Sequence, residues 1–172
     1  MLAQRTLVVA LVPYAAWLVL DYDYHFIDGV NLLFHEAGHL FLTPFGKVLH
    51  FLGGTLGQLF FPAACAFHFL REDRRFEAAV CTLWLGESLM YAAEYVADAR
   101  AQLLPLVGGH IHDWAWLLGR WSLLQHCEQI GVFVHGVGSL VVLGALVAAA
   151  QRAFAPAPPS PEPPAAVALG RD

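Results

Sequence analysis

The chain reads as long apolar blocks separated by short polar breaks. The first block covers residues 6–20 behind Arg5. It has the length and basic front of a secretory signal, yet no small-x-small cleavage site follows. The chain runs directly into Asp21-Tyr22-Asp23-Tyr24-His25, so the block reads as a retained span. The second block, residues 29–42, holds Asn31, His35, Glu36 and His39 and is broken by Pro44 and Gly46. The third, residues 48–70, has no formal charge and contains Gly53, Gly54, Gly57 and Pro62. Small residues at such spacing let backbones approach, and a proline at membrane depth needs neighbours to satisfy the carbonyl it frees. Arg71-Glu72-Asp73-Arg74-Arg75 is a clear polar break. A fourth block, residues 76–100, carries Glu87, Glu94 and Asp98 in its interior. Residues 110–127 are Trp-rich and mixed, which suits an interfacial or partly re-entrant helix. The last block, residues 130–150, has only His135 and Ser139 as polar side chains.

This pattern predicts an all-α, polytopic integral membrane helix bundle of about five hydrophobic segments. It occupies residues 1–152 and is followed by a Pro-rich tail, 153–172, predicted to be disordered. Composition sharpens the picture. The chain is 58% hydrophobic and 13% charged, about half the usual charged fraction of about 25%. That excludes a disordered protein and an ordinary secreted enzyme, and makes membrane lipid the main solvent. A net charge of −5 leaves no basic footprint for nucleic acid. Three cysteines with no CxxC spacing give neither a disulfide framework nor a thiolate zinc site. Arg71, Arg74 and Arg75 favour a cytoplasmic loop. With the N-terminus inside, one span plus a re-entrant piece between residues 29 and 70 satisfies that preference, whereas two spans do not.

The strongest chemical signal is His35-Glu36-Ala37-Gly38-His39, an HExxH. On a helix, positions i and i+4 share a face, so both imidazoles reach one ion. Zinc accepts two such nitrogens and needs at least one further protein ligand. Glu36 stands beside the first ligand, where it can take a proton from a zinc-bound water and pass it to a leaving amine. Three ionisable groups within five residues are costly at membrane depth and need a reason. Asp28 and Asn31 continue the stripe of His35 and His39, either as partners orienting a ligand imidazole or, for Asp28, as a helix N-terminal acid.

The third ligand has several candidates. Glu87, Tyr91, Glu94 and Asp98 share one face of the fourth block, and Glu94 or Asp98 can serve as ligand. The His110, His112 and Asp113 cluster supplies mixed nitrogen and carboxylate donors. The favoured ligand is His112 or Asp113, with Asp98 or Glu94 as fallback. The competing reading makes Asp113 an N-cap ahead of Trp114. The isolated histidines read as hydrogen-bonding residues, with His135 making an interhelical bond.

Phe34-His35-Glu36-Ala37-Gly38-His39 in an apolar helix, followed by a glycine-rich apolar segment, resembles the site-2-protease-like family of intramembrane zinc metalloproteases. The motif covers five residues, and the polytopic character covers most of the chain. The resemblance implies Zn2+ ligation by His35 and His39, catalysis by Glu36, a distant Asp as third ligand, and a bacterial inner membrane. The family's Leu-Asp-Gly motif does not occur; the nearest stretches are Val96-Ala97-Asp98-Ala99-Arg100 and His112-Asp113-Trp114.

The expected activity is hydrolysis of peptide bonds in a transmembrane or membrane-proximal substrate. Pro44, Gly46 and Gly53-Gly54 are expected to make room for an unwound substrate helix. Two alternatives differ in class. One is a non-catalytic metal-binding or structural membrane subunit. The other is a di-metal oxidase or hydroxylase using His35, Glu36, His39, Glu94, His110 and His112, for which about six ligands are needed.

Overall fold

The computed structural model describes residues 2–107 and 110–156. Helices are the only regular elements among the described residues: α1 (Leu2–Leu20), α2 (Phe26–Leu42), α3 (Lys47–Arg71), α4 (Arg75–Ala97), α5 (Asp113–Arg120) and α6 (Cys127–Ala153), with single 3-10 turns at Thr43–Phe45 and Leu124–His126. The end of α6 at Ala153 coincides with the start of the expected tail; residues 157–172 lie outside the described residues.

Three helices are long and apolar enough to cross a membrane: Leu2–Leu20, Lys47–Arg71 and Leu124–Ala153. At 1.5 Å per residue, the shortest is about 28 Å long, close to the roughly 30 Å of a hydrocarbon core. Their apolar stretches are only 17%, 28% and 22% buried by the rest of the chain. Most of that apolar surface therefore faces outward. α4 is long enough, but Arg75 and three glutamates keep it out of this group, and α2, at 17 residues, is shorter.

α4 packs along α6, α2 along α3, and α3 bridges to α4. The core is built from these seams. Leu18, Leu83, Met90 and Val142 join α1, α4 and α6 at one level. Val8, Phe76 and Ala149 join the same helices nearer their other end. The α2–α3 seam is a backbone contact. A methyl group on Gly38 would lie 2.0 Å from the Gly53 carbonyl oxygen, and one on Gly57 2.5 Å from that of Phe34. The glycines of the third block thus draw two helices together, as small residues do in lipid. They do not leave space for a substrate, which corrects the expectation that Gly53-Gly54 would do so.

Residues 21–25 fold back beside α1, bringing His25 to 2.7 Å from the Tyr14 hydroxyl. Tyr14 lies six residues, about 9 Å, before the end of α1. α2 therefore starts about 9 Å short of the end of α1, with Phe26 exposed and Asp28 buried. At the opposite end, Arg5 donates to the Ala153 carbonyl at 3.0 Å, and Arg74, Arg75 and Arg152 line one surface depression. One end of the bundle thus collects the start of α1, the α3–α4 turn and the end of α6. There the Arg75 guanidinium, 2.7 Å from Asp73 and bonded to it, holds that carboxyl below the usual range.

Candidate metal centre

α2 places His35 and His39 one turn apart on the face turned toward α3 and α5. α5 brings Asp113 to them from far along the chain. His35 Nε2 is 3.1 Å and His39 Nε2 3.2 Å from the same atom, Asp113 Oδ2. Two ligands bound at 2.0–2.1 Å to a tetrahedral ion stand about 3.3 Å apart, so these spacings fit the edges of a zinc tetrahedron.

Hydrogen bonds on the far side of each ring fix where the protons are. His39 Nδ1 is 2.7 Å from the backbone carbonyl of His50. A carbonyl only accepts, so Nδ1 carries the hydrogen. His35 Nδ1 is 2.8 Å from Gln58 Oε1. The amide cannot be turned round, because its Nε2 donates to the Ser88 carbonyl at 3.0 Å. His35 Nδ1 is therefore a donor as well. In both neutral imidazoles the lone pair is then on Nε2, and both point at a carboxylate oxygen. Acceptors converging on one point need a positive charge between them, supplied by protons on the rings or by a metal ion. Burial raises the Asp113 carboxyl, but His35 and His39 rings that carry a proton on Nε2 donate to it, outweigh burial and bring it to about 2.

Asp113 is itself well braced. The Tyr95 hydroxyl accepts its backbone N–H at 3.2 Å and donates to Oδ2 at 3.4 Å. Trp114 Nε1 donates to Thr55 on α3 at 3.1 Å, and the Trp116 ring lies against Phe51 at 4.4 Å. The Trp-rich stretch is thus a short helix of eight residues that docks a carboxylate, preceded by bends at His110 and Ile111.

A cavity of about 340 Å3 opens beside the three groups. Glu36 and His50 line it, with Leu104, Leu106, Val107 and Ile111 on its apolar side. An ion held by these three side chains would keep a coordination position open toward the cavity.

Several expected roles are reassigned. Of the pair His112 and Asp113, only Asp113 joins the histidines. His112 is the N-cap of α5: its Nδ1 accepts the Ala115 N–H at 3.3 Å. The capping expected of Asp113 therefore falls to its neighbour. The His112 ring stacks on Tyr95 at 4.1 Å, its Nε2 lies 3.5 Å from Asp98, and burial pushes its pKa down. Asp98 holds the following loop by accepting from the N–H groups of Leu103 and Leu104 at 2.8 and 3.0 Å. Glu94 is exposed. Neither fallback acid reaches the histidines; of the six residues of a di-metal oxidase, His35, Glu36, His39 and His110 line the cavity, whereas Glu94 and His112 do not. Asp28 and Asn31 orient no ligand imidazole. Asp28 accepts the His25 backbone N–H at 2.8 Å, and Asn31 donates to Glu87 at 2.9 Å. His135 does reach across helices, 3.3 Å from the Val19 carbonyl.

Gln58 and Tyr95 were not singled out from the sequence. Gln58 had a usable signal: it is an amide side chain deep in an uncharged run, and such a group needs a partner. No family model matches the chain, and neither a curated protein nor a solved structure matches it, so what the site does is argued from its own geometry.

Proposed function

We propose that this chain is a membrane-embedded zinc metallopeptidase that hydrolyses peptide bonds in or beside the bilayer. Its membrane is the bacterial inner membrane, with the arginine-bearing end in the cytoplasm. One observation carries the reading. Partners that only accept hold the Nδ1 hydrogens of His35 and His39, so two lone pairs aim at one Asp113 oxygen beside an open cavity. His35, His39 and Asp113 would hold the ion. A bound Zn2+ supplies Lewis acidity, polarising a carbonyl and bringing the pKa of water near 7.

The chain's own residues supply the rest. Glu36 lines the cavity next to His35. As a carboxylate it accepts a proton from the attacking water, and as the acid it returns that proton to the departing amine. Gln58 and the His50 carbonyl keep the ligand rings in one tautomer and one orientation. The aliphatic wall formed by Leu104, Leu106, Val107 and Ile111 favours a substrate with apolar side chains next to the cleaved bond.

The test is elemental mass spectrometry of detergent-purified protein, run beside turnover of a fluorogenic library of apolar peptides in bicelles. The expected result is zinc lost in His39→Ala and Asp113→Ala, zinc kept in Glu36→Gln, and turnover lost in all three. Zinc retained by Asp113→Ala would refute the ligand set. A zinc-loaded wild type that cleaves nothing, with Glu36→Gln indistinguishable from it, would leave a metal-binding subunit without peptidase activity.

A further inference from the structure

A second group of donors lies at the start of α2, apart from the first. One donor atom each from His25, Asp28 and Glu87 falls within 4.8 Å of the others. Asp28 is 0% and Glu87 1% exposed. Neither carboxylate is paired with a lysine or arginine among the described residues; the one basic partner of both is His25. Each side chain is held in place from behind. Tyr22 donates its hydroxyl to Asp28 Oδ1. Asn31 Nδ2 lies 3.2 and 2.9 Å from the two Glu87 oxygens, and Trp84 Nε1 fixes that amide by donating to Asn31 Oδ1 at 2.9 Å. The Tyr14 hydroxyl meets His25 Nε2 at 2.7 Å. A set of nitrogen and carboxylate donors, buried and individually oriented, is what a metal site requires.

We propose that His25, Asp28 and Glu87 form a second metal site, for a divalent transition-metal ion of the zinc or manganese kind. The argument is one of charge. Two buried carboxylates in an apolar bundle need compensation. One shared proton cancels one of the two negative charges, whereas a divalent ion cancels both and leaves His25 neutral, as a ligand must be. His25 Nδ1 is 2.7 Å from Asp28 Oδ2, a hydrogen-bond distance, and its Nε2 is 3.8 Å from Glu87 Oε1. An ion held by His25, Asp28 and Glu87 would take the place of that hydrogen. One imidazole with two carboxylates suits zinc or manganese and disfavours thiophilic ions.

The site has a structural consequence for the first. Asp28 precedes His35 by seven residues, about two turns of α2. An ion shared between the start of α2 and Glu87 on α4 pins the helix that carries both histidines. The two sites have no ligand in common, so they can be emptied separately.

The experiment is a stoichiometry series on full-length protein in detergent. The protein is stripped with chelator, dialysed against zinc or, separately, manganese, and its metal counted by elemental mass spectrometry. Wild type is expected to hold two equivalents of zinc. Glu87→Gln and Asp28→Asn should each hold one, His39→Ala one, and the Glu87→Gln/His39→Ala pair none. Zinc should also raise the Tm of His39→Ala but not of the double variant, a readout that needs no count. A wild type with one equivalent that disappears in His39→Ala overturns the second site and leaves a carboxyl pair sharing a proton. A second equivalent that survives Asp28→Asn, Glu87→Gln and His25→Ala also overturns it. One equivalent lost in Glu87→Gln but kept in His39→Ala would preserve the second site and remove the first.

Discussion

Gly54→Ala tests the proposed metal centre at its tightest point. Gly54 is buried on the face of α3 that meets α2. A Cβ there would stand 2.2 Å from His35 Nε2 and 2.5 Å from the two adjacent ring carbons. Ordinary contact begins near 3.4 Å, so the ring must retreat by about 1.2 Å, or the helices must part. The helices cannot part locally, because Gly53 and Gly57 hold α3 against the α2 backbone. The ring cannot swing aside without stretching its 2.8 Å bond to Gln58. A displacement of about 1.2 Å is several times the roughly 0.2 Å tolerance of a metal–ligand distance. The expected loss is at least about 100-fold in zinc affinity, or about 2.7 kcal/mol. Competition against a chromophoric chelator measures it in detergent. Gly136→Ala is the control, since a Cβ at that position in α6 meets nothing within 4 Å and should leave affinity unchanged. Wild-type zinc affinity in Gly54→Ala would refute ligation by His35 at this position.

Other perturbations read neighbouring parts of the site. Gln58→Leu removes the acceptor that fixes the His35 tautomer and should lower zinc affinity about 10–100-fold in the same competition assay, without abolishing binding. Tyr95→Phe strips the buried Asp113 N–H of its acceptor and should cost about 1–3 kcal/mol, seen as a lower Tm of the zinc-free protein. Glu36→Gln should keep zinc while peptide turnover falls by at least about 100-fold; equal turnover would remove Glu36 from the chemistry. A reporter fused after Ala153 should be active only in its cytoplasmic form, because Arg5, Arg74, Arg75 and Arg152 gather at that end. Periplasmic activity would invert the assigned orientation.

The helices were legible because lipid-compatible stretches are long, and polar breaks between them are abrupt. Residues 48–70 and 130–150 were read within a few residues of α3 and α6, since each is an uncharged run long enough to span lipid, which outweighs the glycines in both and Pro62 in the first. The reversal at residues 21–25 was less legible. Asp21-Tyr22-Asp23-Tyr24-His25 looks like an aqueous loop by composition, yet His25 packs between Tyr14 and Trp17. Its polar groups are satisfied by one another and by α1, a three-dimensional fact that no window along the chain displays. The same limit applies to the short α5. Its Trp and Leu residues suggested an interfacial helix, but the side chains that matter, Trp114 and Trp116, are spent on α3.

The candidate metal centre divides along the same line. His35 and His39 are four residues apart, so helix periodicity alone puts them on one face. Asp113 is 78 residues from His35, and its neighbour His112 offered equally good donor chemistry. What separates them is the start of α5. An N-cap side chain turns back to bond the helix's own N–H groups, as His112 does to Ala115. The next residue, the first of the helix, is free to point outward and finds the histidines. Asp and His are both able to take either position, so local sequence rules cannot rank the two arrangements. The choice is settled by Tyr95 on α4, which braces the Asp113 backbone and stacks on the His112 ring. If that is the deciding contact, Tyr95→Ala should loosen both residues together and weaken zinc binding more than Tyr95→Phe, which keeps the ring under His112. Equal zinc affinity in the two variants would show that the hydroxyl alone places the ligand.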